Sequence, residues 1–128
     1  MENQTSKKVL VIEDEAPMSR LLGEALEEAG FVVLQADDGQ TGLETALREH
    51  PDLILLDVIL PELDGMTVMK RLRDDEWGKT ARVILLTNLS ANDQIMKGIV
   101  RDEPSFYLVK TNWTVQDVID RVKQALDK

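Results

Sequence analysis

Residues 8–30 read KVLVIEDEAPMSRLLGEALEEAG. Val9, Leu10, Val11 and Ile12 make a short β-like run that stops at three acids, Glu13, Asp14 and Glu15. From there the period changes: Met18, Leu21, Leu22, Ala25, Leu26 and Ala29 recur at helical spacing and form one apolar face. Pro17 suits the first turn of that helix, and Gly30 suits the C′ position that ends it. A strand over 8–13 passing directly into an amphipathic helix is the first half of a βαβ unit.

The same switch occurs five times along the chain, the signature of an α/β fold with a parallel sheet. The second strand is expected over 31–35, followed by a short helix marked by Leu43, Ala46 and Leu47 and closed by His50 and Pro51. The third strand is expected over 53–57, with Met66, Met69 and Leu72 lining the third helix. The fourth strand covers 82–86, and Ile95, Met96, Ile99 and Val100 line a fourth helix that Gly98 weakens by about 1 kcal/mol. The fifth strand is 106–110. The last helix has the clearest start: Thr114 caps it, Asp117 stands at N3, Trp113 staples onto Val118, and Val115, Val118, Ile119, Val122 and Leu126 form its buried face. Right-handed crossovers with helices on both sides give a five-stranded doubly wound sheet, whose ligand site lies beyond the carboxyl ends of the strands.

Composition agrees with a single domain. A chain of 128 residues with 43% hydrophobic residues buries roughly two-thirds of its unfolded surface in one core. Its longest apolar runs are too short for the ~20 residues a bilayer span needs. Residues 1–7 read as a polar tail without a signal-peptide core, and residues 8–128 as the domain. With no Cys, the expected setting is cytoplasmic and soluble. A formal charge of -9 argues against a nucleic-acid surface, because phosphate binding needs clustered Lys and Arg.

The strand ends carry the chemistry. Glu13, Asp14 and Glu15 end the first strand and Asp57 ends the third. Two unit charges about 4 Å apart repel by roughly 4 kcal/mol at an effective dielectric of about 20, so gathered carboxylates call for a cation. Oxygen ligands favour Mg²⁺, Ca²⁺ or Mn²⁺ over zinc. Thr87 ends the fourth strand as a hydroxyl and Lys110 ends the fifth as an ammonium. A carboxylate nucleophile, a hard metal, a hydroxyl and an ammonium are the parts of a phosphoryl-transfer site. Taken singly, each residue has a plainer role as a solvated acid, a helix cap or surface charge, and Glu15 is assigned that role. His50, Trp77, Met66, Met69 and Met96 are read as structural: a solvated helix-end His, a Trp over the base of the third helix, and core methionines.

From residue 7 to 127 the chain closely resembles the response-regulator receiver family of two-component signalling, the chemotaxis-type receivers. The motifs occur in order: Val9-Leu10-Val11-Ile12-Glu13-Asp14-Glu15, Asp57 followed by Pro61 and Asp64-Gly65, Thr87, and Tyr107-Leu108-Val109-Lys110. The resemblance implies a flavodoxin-like fold with strand order 2-1-3-4-5 and five helices. It implies that Asp57 accepts a phosphoryl group from the phosphohistidine of a histidine kinase or histidine phosphotransfer protein. Mg²⁺ would be held by Glu13, Asp14, Asp57 and the backbone carbonyl of Ile59. Thr87 and Lys110 would grip phosphoryl oxygens, and Tyr107 with Thr87 would form the switch. Phosphorylation would then alter the face made by the fourth helix, fifth strand and fifth helix, read by a downstream protein target, with no direct nucleic-acid or membrane contact.

Two positions and one segment depart from the family pattern. Thr111 stands where Pro usually follows the Lys, so the Lys110-Thr111 peptide is expected to be trans. Asn88 replaces a small residue after Thr87, and Arg101-Asp102-Glu103-Pro104-Ser105 replaces the usual Gly-Ala-Asp segment. These leave the acceptor site intact and bear on the output face. Ile59 and Leu89, the residues expected to flank the phosphoryl group, are apolar and cannot orient water, so slow self-dephosphorylation is expected. The rival readings are a receiver-like adaptor that is never phosphorylated, an aspartate-nucleophile phosphatase, and an FMN flavodoxin. The phosphatase would need an acid where Ile59 stands, and the flavodoxin a phosphate loop where the acids of the first strand stand. The chain is therefore expected to be a signalling receiver and no enzyme beyond its own phosphorylation and dephosphorylation.

Overall fold

The computed structural model describes residues 7–57, 60, 63–87, 106–109 and 114–126. Among the described residues the elements follow in the order β1 (Lys8–Ile12), α1 (Ala16–Glu28), β2 (Val32–Ala36), α2 (Gly39–Glu49), β3 (Leu53–Asp57), α3 (Gly65–Arg73), a 3-10 turn (Gly78–Thr80), β4 (Val83–Thr87), β5 (Phe106–Val109) and α4 (Val115–Leu126). All strand pairs are parallel, in the spatial order β2-β1-β3-β4-β5. The helix expected around Ile95, Met96, Ile99 and Val100 falls outside the described residues, as do the Lys110-Thr111 bond, Asn88, residues 101–105 and the Trp113 staple.

The apolar runs become strands covered on both faces, which is why they lack polar alternation. Leu10, Ile12, Ile54, Leu56, Val83 and Leu85 point to one side of the sheet and pack with Leu43 and Ala46 of α2 and Val68, Met69 and Leu72 of α3. Their neighbours Val9, Val11, Leu53, Leu55, Ile84 and Leu86 point to the other side, against Leu22 and Leu26 of α1 and Val118, Ile119 and Val122 of α4. Two cores therefore sandwich one sheet, and the polar edge at the strand ends is what remains for chemistry.

Local signals set the helix ends. The Gly30 N–H donates to the Glu27 carbonyl at 3.0 Å and the Phe31 N–H to the Leu26 carbonyl at 3.1 Å, a paired closure of α1. It requires the left-handed backbone that Gly30 adopts at φ 99°. Asp38 caps α2 by accepting from the Thr41 N–H at 2.7 Å, and Asp64 caps α3 by accepting from the Thr67 N–H at 2.9 Å. The expected box on α4 is reciprocal: the Thr114 N–H donates to Asp117 at 2.8 Å, and the Asp117 N–H donates to the Thr114 hydroxyl at 3.2 Å.

Several sequence expectations need correction. β1 ends at Ile12, so Glu13 stands just beyond the strand. β2 and β4 each start and end one residue later than the apolar runs suggest. β5 starts at Phe106 as expected, and its expected last residue, Lys110, lies outside the described residues. Leu21, expected on the apolar face of α1, is 48% exposed, and Leu47, one of the residues that mark α2, is also exposed. Successive helical residues lie about 100° apart, so a stripe centred on Leu22 and Leu26 turns Leu21 outward, as one centred on Leu43 and Ala46 turns Leu47. His50 is exposed but not merely solvated. Its ring stacks on Trp77 with centroids 4.4 Å apart and planes 8° from parallel, and its backbone sits in the left-handed region at φ 48°.

Candidate functional site

Parallel register brings the strand ends to one edge. Ile12 of β1 pairs with Leu56 of β3, so the residues that follow, Glu13 just past β1 and Asp57 at the end of β3, stand side by side. Asp57 pairs in turn with Leu86 of β4, and Thr87 pairs with Val109 of β5. The backbone of Thr87 is thus one residue beyond Asp57 on the adjacent strand. Lys110, next in sequence after Val109, and Ile59 lie outside the described residues. Tyr107 lies within β5, paired with Leu85.

Carboxylate oxygens of Glu13, Asp14 and Asp57 all lie within 4.8 Å of one another. Glu13 is fully buried and Asp57 is 5% exposed, whereas Asp14 is exposed. The backbone explains why Glu13 is fixed so firmly. Its N–H donates to the Ala36 carbonyl at 3.0 Å, extending the β1–β2 ladder by one residue, and its Oε2 accepts from the Glu15 N–H at 3.3 Å. Glu15 is the N-cap residue of α1 but makes no side-chain cap bond, consistent with a solvated acid.

Burying charged carboxylates side by side is costly unless a cation or other partners compensate. An all-oxygen donor set of three acids, one open to solvent, suits a hard divalent cation that keeps part of its water shell, as Mg²⁺ does. The residues present therefore fit Mg²⁺, one of the hard cations that the strand-end acids favour and the one that the resemblance implies. Beside the cluster, a polar groove of about 340 Å³ runs between α1 and β2, lined by Glu13, Asp14, Ser19, Arg20, Gln35 and Asp37 among others.

Of the expected site residues, the structure brings together Glu13, Asp14 and Asp57, and it sets the backbone of Thr87 at the same edge. Gln35, which the sequence marks only as the end of a strand, reaches across to α1. Its importance depends on the register of β2 against β1, and no motif signals it.

Comparison with known proteins bears on these acids. The family model for the response regulator receiver domain matches residues 9–123. The DNA-binding dual master transcriptional regulator RpaA of Synechocystis sp. is 38% identical over 119 residues, covering 93% of this chain and 48% of that protein. The chain spans about half the length of the curated relatives it matches. Among solved structures, the Francisella response regulator 1452 receiver domain has a TM-score of 0.85 at 27% identity, covering 95% of this chain and 98% of the other. The receiver domain of a sensor histidine kinase from Pseudomonas aeruginosa PAO1 has a TM-score of 0.82 at 26% identity, covering 97% of this chain and 100% of its own, and has a magnesium ion coordinated in its active-site cleft.

Proposed function

We propose a phospho-acceptor role for this chain from one premise: it belongs to the response regulator receiver family. Members of that family are two-component signalling modules rather than enzymes with a separate substrate, which disposes of the phosphatase and flavodoxin readings. The observation that carries the proposal is the meeting of Glu13, Asp14 and Asp57 within 4.8 Å at the carboxyl edge of a parallel sheet.

Asp57 is the nucleophile. One of its carboxylate oxygens attacks the phosphorus of a partner's phosphohistidine, the P–N bond breaks, and the imidazole nitrogen leaves with the electron pair and takes a proton. Glu13 and Asp14, with Asp57 and the Ile59 carbonyl, would hold Mg²⁺, the metal coordinated in the related kinase receiver. When bound, that ion neutralises the acids and the incoming phosphoryl oxygens. The Thr87 hydroxyl, at the end of β4, and the Lys110 ammonium, next in sequence after β5, take the remaining oxygens. Positioning and charge neutralisation of this sort supply most of the catalysis in phosphoryl transfer.

The acyl phosphate then biases a two-state equilibrium through Thr87 and Tyr107, felt at the helix expected near Ile95, at β5 and at α4. That helix completes a set of five. The partners in this reading are a histidine kinase or histidine phosphotransfer protein upstream and a protein target downstream, with no direct contact to nucleic acid. Residues 8–128 form the receiver and residues 1–7 a polar tail. No helix among the described residues is long and apolar enough to cross a membrane, and a cytoplasmic setting belongs to the same reading.

The test is intact-mass measurement after incubation with a small-molecule phosphodonor, with Mg²⁺ or with a chelator. A single phosphoryl addition that depends on Mg²⁺ is expected. No addition under either condition would favour the adaptor that binds partners without being phosphorylated.

A further inference from the structure

The acids that gather at the sheet edge depend on how the segment between β1 and α1 is held, and one side chain from β2 holds it. The Gln35 amide donates to the Ser19 carbonyl at 2.8 Å and to the Ser19 hydroxyl at 2.9 Å. Ser19 is in the first turn of α1, and its N–H donates to the Glu15 carbonyl at 2.9 Å. At the other end of the segment the Glu13 N–H donates to Ala36, the residue after Gln35, at 3.0 Å. The three residues Glu13, Asp14 and Glu15 are thus anchored to β2 at both ends, by the Ala36 backbone and by the Gln35 side chain. Gly23, one turn further along α1, leaves the space that the amide occupies: a methyl group there would lie 2.8 Å from Gln35 Nε2.

We infer that Gln35 is a positioning residue for the metal-binding acids, fixing the start of α1 against β2 so that Glu13 and Asp14 face Asp57 before the ion arrives. The inference rests on the phospho-acceptor reading of the site and extends it to a residue that touches neither metal nor phosphoryl group. The physical reason is preorganisation. A ligand segment already in its bound geometry loses less freedom when the cation binds, and residues that orient metal ligands typically affect affinity by 10-fold or more. Gln35 acts one step further out through exposed hydrogen bonds, so the expected effect is smaller, roughly fivefold.

The experiment is a Mg²⁺ titration followed by two-dimensional NMR of backbone amides, which gives a dissociation constant without any phosphorylation. It compares wild type, Gln35→Leu, which keeps most of the bulk and loses the donor, and Gly23→Ala, which pushes the amide out of its space. Asp75→Ala is the stability control, because it removes bonds to the Trp77 and Gly78 N–H groups, each 3.0 Å long and in the loop before β4. All are measured well below their melting temperatures. The Mg²⁺ dissociation constant should rise roughly fivefold in Gln35→Leu and Gly23→Ala and stay within about twofold of wild type in Asp75→Ala. An unchanged constant in Gln35→Leu, or an equal rise in Asp75→Ala, overturns the inference while leaving the site reading in place. Failure of wild type to bind Mg²⁺ overturns the site reading and the inference with it.

Discussion

Replacing Asp57 by Asn should make the metal-free protein more stable while removing its function. Asp57 and Glu13 are both buried, and their carboxylate oxygens lie within 4.8 Å of each other. At an effective dielectric of about 20, two unit charges at that separation repel by roughly 3 kcal/mol. Asn keeps the shape of Asp57 and removes one of the two charges. Other bonds made by the Asp57 carboxylate are weakened at the same time and offset part of the gain. A net stabilisation of about 1–2 kcal/mol remains, or roughly 5 °C in melting temperature for a domain of this size. Mg²⁺ should reverse the ranking, because a ligand that binds only the folded state stabilises it by RT ln(1 + [L]/Kd), and the variant has lost one ligand and much of the attraction. The assay is urea denaturation of both proteins in chelator and in excess Mg²⁺. If Asp57→Asn is less stable than wild type in chelator, or gains as much from Mg²⁺ as wild type does, the electrostatic account of the cluster is wrong.

Two further outcomes are expected. Phosphorylated protein should decay slowly after donor removal, because Ile59 and Leu89 cannot orient water, and Ile59→Asn or Leu89→Glu should speed the decay by on the order of 10-fold; rapid wild-type decay unaffected by either change would refute this. Gly39→Ala should destabilise the fold by about 2 kcal/mol or more in urea denaturation, since a methyl group there would lie 1.6 Å from the Leu63 carbonyl oxygen, and unchanged stability would show that the start of α2 can move away.

Much of this architecture is legible in the residues because a doubly wound sheet writes its strands as uninterrupted apolar runs. Val9 to Ile12 and Leu53 to Leu56, short and bounded by polar residues, read as strands buried on both faces, and both are. Boundaries are less legible. Phe31 looks like the start of β2, but the Phe31 N–H closes α1 onto Leu26, and pairing begins only when the Val32 N–H reaches the Lys7 carbonyl at 2.9 Å. Helix faces suffer in the same way where two apolar residues adjoin, as Leu21 and Leu22 do: the pattern marks both, and the core accepts one. The acids were readable because parallel register carries Glu13 and Asp57 to the same edge whatever the loops do. Contacts set by topology were not, among them the His50 and Trp77 stack, 27 residues apart in sequence, and the span of Gln35 to Ser19. Neither has a local pattern, and each exists only once distant segments are docked.

The chemistry of an acyl phosphate on Asp57 offers a direct reading of where the phosphoryl group sits. Borohydride reduces an acyl phosphate on an aspartate to homoserine, so reduction of the phosphorylated protein followed by peptide sequencing identifies the acceptor by position. Homoserine at position 57, formed only when Mg²⁺ was present during phosphorylation, is the predicted result. Homoserine at another aspartate, a reduced glutamate, or no reduced residue in protein shown by mass to carry the phosphoryl group, would contradict it.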